Sequence, residues 1–254
     1  MRADHYDDFP EAYARENESN LFNAHYERPA MLDLAGDVSG RRVLDVGCGA
    51  GALAQALRDR GALVTGLDAS PAMAALARRR LGDDIDVVVA DLADPLPFAA
   101  GEFDDAVASL VLHYLQDWSG PLAELRRVLE PGGRLLLSVN HPVIRPVIYP
   151  QEDYFATTAY TEDYTFDGRT AALNFWHRPL HAMTDAFSRA GFRISTVAEP
   201  PFSPRTGGGV LRDGVVLVPA PQLERPGDPD QAAVHDVGPA EHLQRCWAVD
   251  RDRG

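Results

Sequence analysis

Cations are scarce in this chain: 24 arginines, with no lysine, face 38 aspartates and glutamates, for a formal net charge of −14. Binding to a polyphosphate backbone or an anionic lipid surface draws on clustered Lys and Arg, so nucleic acid and membrane are poor partners and a small molecule fits better. The longest basic run, Arg78-Arg79-Arg80, closes a predicted helix, where cations suit the dipole. Long apolar runs are missing as well. Nowhere do about 18 apolar residues follow one another, and the opening MRADHYDDFPEAYARENES lacks the apolar stretch of a secretory signal. The expected location is the cytoplasm. Cysteine is limited to Cys48 and Cys246, one in a glycine-rich turn and one in a polar tail. That is neither a disulfide framework nor a metal-ligand spacing, and no metal is expected.

What is present is regular punctuation. The 254 residues suit one large domain, because single cores stop growing only near about 250 to 300 residues. Residues 4–38 have apolar positions at roughly helical spacing, broken at Pro29, and precede the first strand. From Arg41 onward, strands alternate with helices, as in a parallel sheet covered on both faces. Strands are predicted at 42–46, 63–67, 86–90, 103–110, 134–139 and 192–197, with helices at 51–60, after the Ser70 cap and Pro71, at 120–129 and at 179–190. Residues 140–178, rich in aromatics and prolines, interrupt the alternation beyond a strand's carboxyl end, where ligands bind in open α/β sheets. Past Pro200 only 214–218 reads as a strand. Residues 219–254, rich in Pro, Gly and charge, read as a disordered tail.

The stretch VLDVGCGAG at 43–51 places Gly47, Gly49 and Gly51 at alternate positions after the first strand. Glycines let a backbone approach a ligand closely, and Asp68, ending the second strand, is placed to accept from both hydroxyls of a ribose. NAD and S-adenosylmethionine are both served by these features. A dinucleotide site has GxGxxG and brings a pyrophosphate to the helix N-terminus, whereas the spacing here is GxGxG with Asp45 two residues ahead. A carboxylate there repels a pyrophosphate and accepts from an ammonium, which favours a cationic amino-acid moiety. Asp91, after the third strand, is a second acid, suited to an adenine amino group.

VLDVGCGAGALA, GLDASPAMAALAR, VVADLADPLPFAAGEFDDAVASLVLHYLQDW and ELRRVLEPGGRLLLSV, in that order, resemble the class I S-adenosylmethionine-dependent methyltransferases. The resemblance is to the small-molecule, methyltransferase type 11-like kind with an N-terminal helical cap, and it covers about residues 6–199. It implies a doubly wound, mostly parallel, seven-stranded Rossmann-like sheet, its seventh strand antiparallel between the fifth and sixth. Residues 1–40 form the cap and 41–200 the methyltransferase domain, with a lid insertion at 141–178; the irregular 201–254 departs from the family's usual ending. The resemblance also implies that Asp45, Gly47, Cys48, Gly49 and Gly51 surround the methionine part of the cofactor. Asp68 would bind the ribose, Ala69 and Met73 would flank the adenine, and Asp91 with Leu92 would meet its polar edge. Ser109 and Leu110 would lie by the methionine carboxylate or sulfonium. NAHYERPAMLDL resembles a group with a YERP-like cap, in which Tyr13, Tyr26 and Arg28 are candidates to close over the cofactor.

Methyl transfer is an in-line displacement in which positioning supplies much of the acceleration, and a base is needed only when the acceptor must lose a proton early. His113 and His141, after the fourth and fifth strands, are the candidate bases or orienting donors, each weighed against a plain structural role. His177 and His181 lack a third ligand for a metal. Tyr149, Tyr154, Phe155, Tyr160, Tyr164, Phe175 and Trp176 would line an apolar acceptor pocket or form a satellite core. Cys48 reads as a small filler, since Asp45 disfavours a thiolate. The function expected is methyl transfer to O, N or C of a small organic acceptor. The rivals are an NAD-dependent oxidoreductase and a non-catalytic S-adenosylmethionine-binding module.

Overall fold

The computed structural model describes residues 7–20, 23–82, 84–166, 168–199 and 244–251. The chain opens with helix α1 (Pro10–Ser19), a π-helical turn (Asn23–Glu27) and helix α2 (Arg28–Ala35). Pro10 and Pro29 sit in the first turns of their helices, where a missing N–H costs nothing. Asn20 Oδ1 accepts the Asn23 N–H at 2.7 Å and starts the π turn. A wider turn rotates the residues that follow, and such turns concentrate at functional sites.

The alternating region follows as β1 (Arg42–Val46), α3 (Ala52–Asp59), β2 (Leu63–Asp68), α4 (Pro71–Leu81), β3 (Val87–Val89) and β4 (Phe103–Ser109). Next come α5 (Ser119–Val128), β5 (Leu129–Asn140), the short α6 (Ile144–Ile148), β6 (Thr158–Phe166), β7 (Arg169–His177), α7 (Leu180–Arg189), β8 (Phe192–Ala198) and β9 (Gln244–Arg251). Ser70 caps α4 by accepting the Met73 N–H at 3.1 Å, with Pro71 opening the helix, as the sequence predicts. The main sheet runs β3-β2-β1-β4-β5-β9-β8. β3, β2, β1, β4 and β5 are parallel, and β9 is antiparallel to both its neighbours. This is a mostly parallel, Rossmann-like α/β sheet.

Successive strand residues point to opposite faces, so each strand feeds two cores. Leu44, Ala106, Leu135 and Leu137 pack with Leu122, Leu125, Met183 and Phe187 of α5 and α7. Val43, Val107 and Leu136 pack with Met31, Ala54, Leu57 and Ala74 of α2, α3 and α4. The second cap helix is thus part of the sandwich.

Two features depart from the sequence reading. The insertion at 141–178, which shows little helical period, contains an antiparallel hairpin of β6 and β7, with Phe166 paired to Arg169 across its tip. Residues 214–218, expected as the last strand, lie outside the described residues. Gln244–Arg251, expected within a disordered tail, is strand β9. Its backbone pairs on both sides, Leu137 with Trp247 and Trp247 with Val197. Val249 is fully buried, and Arg251 donates to the Leu129 carbonyl. Two ladders of hydrogen bonds hold a strand whose own apolar run is only four residues long.

Candidate active site

β1 and β4 lie side by side at the centre of the sheet, and the chain leaves them in opposite directions, which opens a crevice at their carboxyl ends. A cavity of about 660 Å³ occupies it, within the roughly 300 to 1,000 Å³ usual for small-molecule sites.

The turn after β1 forms the floor. Gly47 has φ 65°, and a Cβ there would fall 2.4 Å from Val111 Cγ2, so packing and conformation both require glycine. Gly49 has φ 54° and open space where a Cβ would point. Between them Cys48 packs over Gly66 of β2. Burial pushes its thiol well up, and the charges of Asp45 and Asp68 push it further. A filler fits these facts; a nucleophile does not.

Three buried carboxylates face the cavity. Asp68 is held by two backbone donors, the Gly49 N–H to Oδ2 and the Ser70 N–H to Oδ1, both at 2.8 Å. Each oxygen keeps a lone pair for a ligand hydroxyl. Asp45, 1% exposed, has Oδ2 buried without a hydrogen-bond partner. Burial, then the charges of Glu27 and Asp68, raises its carboxyl to about 8. Glu27, 2% exposed, descends from the π turn, and its Oε1 accepts from Ser109 Oγ and Ser138 Oγ, each at 2.6 Å. Burial raises its carboxyl while the two serines oppose the shift. Leu110, between β4 and the loop beyond it, has φ 56°, a costly conformation for a branched side chain. It is held there by N–H contacts to Ser138 O at 3.1 Å and Ser138 Oγ at 3.0 Å. Backbone strain of this kind is retained where a site needs it.

The cap and the hairpin close the cavity from above. Inward positions alternate along β6 as Tyr160, Glu162, Tyr164 and Phe166, and along β7 as Leu173, Phe175 and His177. Phe166 stacks on Phe9 at 5.2 Å and meets Tyr13 edge-on at 5.4 Å, which joins the hairpin to the start of the chain. Tyr114 and Phe175 pack at 5.0 Å, with His113 5.3 Å from Phe175. Arg28 reaches back to Asn17, donating to its carbonyl at 2.9 Å and to Oδ1 at 2.7 Å, and so fastens α2 to α1. Tyr13 accepts from Asn17 Nδ2 at 3.3 Å.

Of the residues expected at the site, Tyr13, Arg28, Asp45, Gly47, Cys48, Gly49, Asp68, Met73, Ser109, Leu110 and His113 line this one cavity. Gly51 stands just behind the turn as the N-cap of α3. Tyr26, Ala69, Asp91, Leu92 and His141 are not in the wall. Tyr26 is 4% exposed and Leu92 belongs to the core beneath the sheet. Asp91 Oδ1 accepts the Ala93 N–H at 2.9 Å. His141 accepts the Val143 N–H at Nδ1, 3.1 Å, and sits 2.9 Å from Glu199 through Nε2. Among the aromatics of the insertion, Tyr164 and Phe175 line the cavity while Tyr149, Tyr154 and Phe155 lie away from it. Sequence reasoning missed Glu27, Asn140, Phe166 and Leu173, all in the wall, and Ser138, which holds Glu27. The alternation in AYTEDYTF was the available sign for Phe166. Nothing local marks Glu27.

A buried, unpartnered carboxylate oxygen beside an open glycine turn suits a ligand with a positive end, and an anchored aspartate at the end of β2 suits a ribose. The residues present therefore fit S-adenosylmethionine, whose amino-acid end is cationic, and not a pyrophosphate. The fold is a Rossmann-like α/β domain with its cavity at the carboxyl ends of the strands.

Residues 44–137 match the family model for a methyltransferase domain. The demethylmenaquinone methyltransferase of Renibacterium salmoninarum is 38% identical over 120 residues, 47% of this chain and 50% of that protein. The ubiquinone biosynthesis O-methyltransferase of Dechloromonas aromatica is 36% identical over 113 residues, 42% of this chain and 47% of that one. The chain spans about half the length of the curated relatives it matches. In three dimensions, an S-adenosylmethionine-dependent methyltransferase from Mesorhizobium loti superposes with TM-score 0.59 at 24% identity, covering 88% of this chain and 96% of that one. That likeness concerns the fold.

Proposed function

We propose that the protein transfers a methyl group from S-adenosylmethionine to O, N or C of a small, planar or mostly apolar organic acceptor. The observation that carries this is the buried Asp45 Oδ2, without a partner in a cavity floored by a GxGxG turn. Asp45 and the turn would hold the amino-acid end of the cofactor, Asp68 the ribose hydroxyls and Met73 the adenine face. When bound, the cofactor supplies an electrophilic methyl on a sulfonium; the chain's task is to hold and orient.

The acceptor side follows from the wall. Tyr114, Tyr164, Phe166 and Phe175 offer ring faces, which suit a flat partner, and the demethylmenaquinone in the name of one curated relative is a flat quinone. His113 accepts the Asn140 N–H at Nδ1, 3.4 Å, and lines the cavity, which makes it the side chain placed to orient an acceptor oxygen. His141 has a structural role on this reading. The cap at 1–40 and the insertion at 141–178 act as a lid over a domain spanning 41–200, with Tyr13 and Arg28 as the cap's contacts. No helix among the described residues is long and apolar enough to cross a membrane, in keeping with a cytoplasmic enzyme on a diffusible substrate.

Isothermal titration with S-adenosylhomocysteine is the test. Micromolar binding that is lost on Asp68→Ala supports the proposal, while absence of any heat, with binding of NAD instead, overturns it.

A further inference from the structure

The cavity wall is acidic out of proportion to its cations. Glu16, Glu27, Asp45, Asp68 and Asp163 line it against the one guanidinium of Arg28, which is engaged with Asn17. Two of these acids are nearly inaccessible to water, Asp45 and Glu27. Buried charges normally come with a partner, yet among the described residues neither forms an ion pair, and Arg28 acts on Glu27 only through its charge. Asp45 Oδ2 has no partner at all. Glu27 spends both its serine contacts on Oε1, which leaves Oε2 for something else in the cavity.

The construction around Glu27 points the same way. Its two donors come from the carboxyl-terminal halves of β4 and β5, 82 and 111 residues along the chain. Ser138 Oγ in turn accepts the Leu110 N–H at 3.0 Å, so the strained turn after β4, the serine pair and the cap carboxylate form one hydrogen-bonded chain. A cap that merely covered the sheet would place an apolar residue here.

We propose that Glu27 is a second anionic anchor which, with Asp45, clamps the cationic amino-acid end of the bound cofactor, so that the cap seats fully only over a ligand carrying positive charge there. This inference rests on the cofactor reading above and extends it to a residue in the cap. A proton follows from it. In the empty site Asp45, with its carboxyl near 8, holds a proton at pH 7. An ammonium placed between the two carboxylates displaces that proton to solvent.

Of the other groups facing the pair, Asp68 of β2 is raised by burial while its two backbone donors oppose the shift, and on the cofactor reading it meets the ribose, which both ligands below carry. Burial raises Cys48 and Tyr13, which keeps both neutral. Arg28 stays charged, Glu16 of α1 and Asp163 of β6 are on the solvent side of the wall, and His113 takes its bond at Nδ1 from Asn140.

The test is calorimetric titration of the full chain at pH 7 in phosphate and in Tris, buffers whose ionisation heats differ, with two ligands. S-adenosylhomocysteine has the amino-acid end; 5′-methylthioadenosine lacks it. The wild type is expected to release roughly one proton with the first ligand and none with the second. Glu27→Gln is expected to weaken S-adenosylhomocysteine roughly 10- to 100-fold and to reduce the release, since loss of the Glu27 charge removes one of the causes that raise Asp45 while burial and Asp68 remain. Its affinity for 5′-methylthioadenosine stays as in the wild type, which also shows the variant folded. Should Glu27→Gln fail to fold, Ser109→Ala, which unfixes the carboxylate and leaves its charge, carries the same contrast with a smaller loss. Unchanged affinity and proton release in the variants overturn the clamp and leave the cofactor reading standing. Absence of S-adenosylhomocysteine binding in the wild type overturns both.

Discussion

Two buried aspartates on neighbouring strands have opposite fates. Asp105 of β4 lies opposite Val43 of β1, and Asp45 of β1 lies opposite Val107 of β4, so they stand two rungs apart. Both are within 1% of full burial. Asp105, toward the amino ends of the strands, takes two bonds at 2.7 Å from Arg134 and bonds at 2.5 and 2.8 Å from Arg41. Burial works against its ionisation, but the bonds from Arg134 and Arg41 win and hold its carboxyl below the ordinary value. Asp45, toward the carboxyl ends, has no guanidinium and its carboxyl is driven up to about 8. One carboxylate is finished by the fold. The other is finished by a ligand.

The largest expected effect comes from breaking the finished one. Asp105→Ala takes the shared carboxylate from two guanidinia, each of which keeps one backbone carbonyl acceptor, and costs about 3 to 5 kcal/mol, toward the lower figure because Arg41 and Arg134 are 33% and 28% exposed. A lowered urea midpoint shows it. Asp45→Asn breaks the other and has a different signature. S-adenosylhomocysteine binding weakens roughly 10- to 100-fold, while stability without ligand is not lost. Between about pH 4 and about pH 8 the native protein keeps a proton on Asp45 that the unfolded chain has released. The native state binds more protons, so wild-type stability falls as pH rises through that window. In the Asp45→Asn variant that fall is reduced, and thermal melts at pH 5 and pH 8 measure the difference. A smaller effect sharpens the contrast by showing that purely structural groups also stand at the ligand end. Ser70→Ala removes the α4 cap and costs about 1 kcal/mol, yet Asp68 keeps its backbone donors, so ligand affinity holds within about twofold while the melting temperature drops.

What the sequence made legible was what short-range rules govern. The Ser70-Pro71 start, the glycine turn and the alternation of strand and helix depend on residues within a few positions of one another, and Asp45 and Asp68 follow because a strand end places them. Long-range pairings were not legible. Glu27 sits between Tyr26 and Arg28, both singled out, yet only serines 82 and 111 residues away make it a site residue. The hairpin had its own signal: aromatics at 160, 164 and 166 two or four apart, then the turn-forming dipeptide Asp167-Gly168. A search for helical period passes over it. In β9 the run CWAV is too short to announce a central strand, and what holds it is the pairing supplied by β5 and β8.

That last strand carries a consequence for how the molecule is assembled. β8 has no bond to β5; β9 lies between them and is the strand that joins β8 to the rest of the sheet. While β9 is out of place, the parallel part of the sheet keeps a bare edge at β5, and α7 and β8 are tethered through side-chain packing and side-chain hydrogen bonds, with no strand ladder. Unpaired edges invite other chains, and non-local pairings are slow to form. Folding of this protein is therefore gated by the arrival of its most distant strand, and the interval before it arrives is when the chain is most exposed to aggregation.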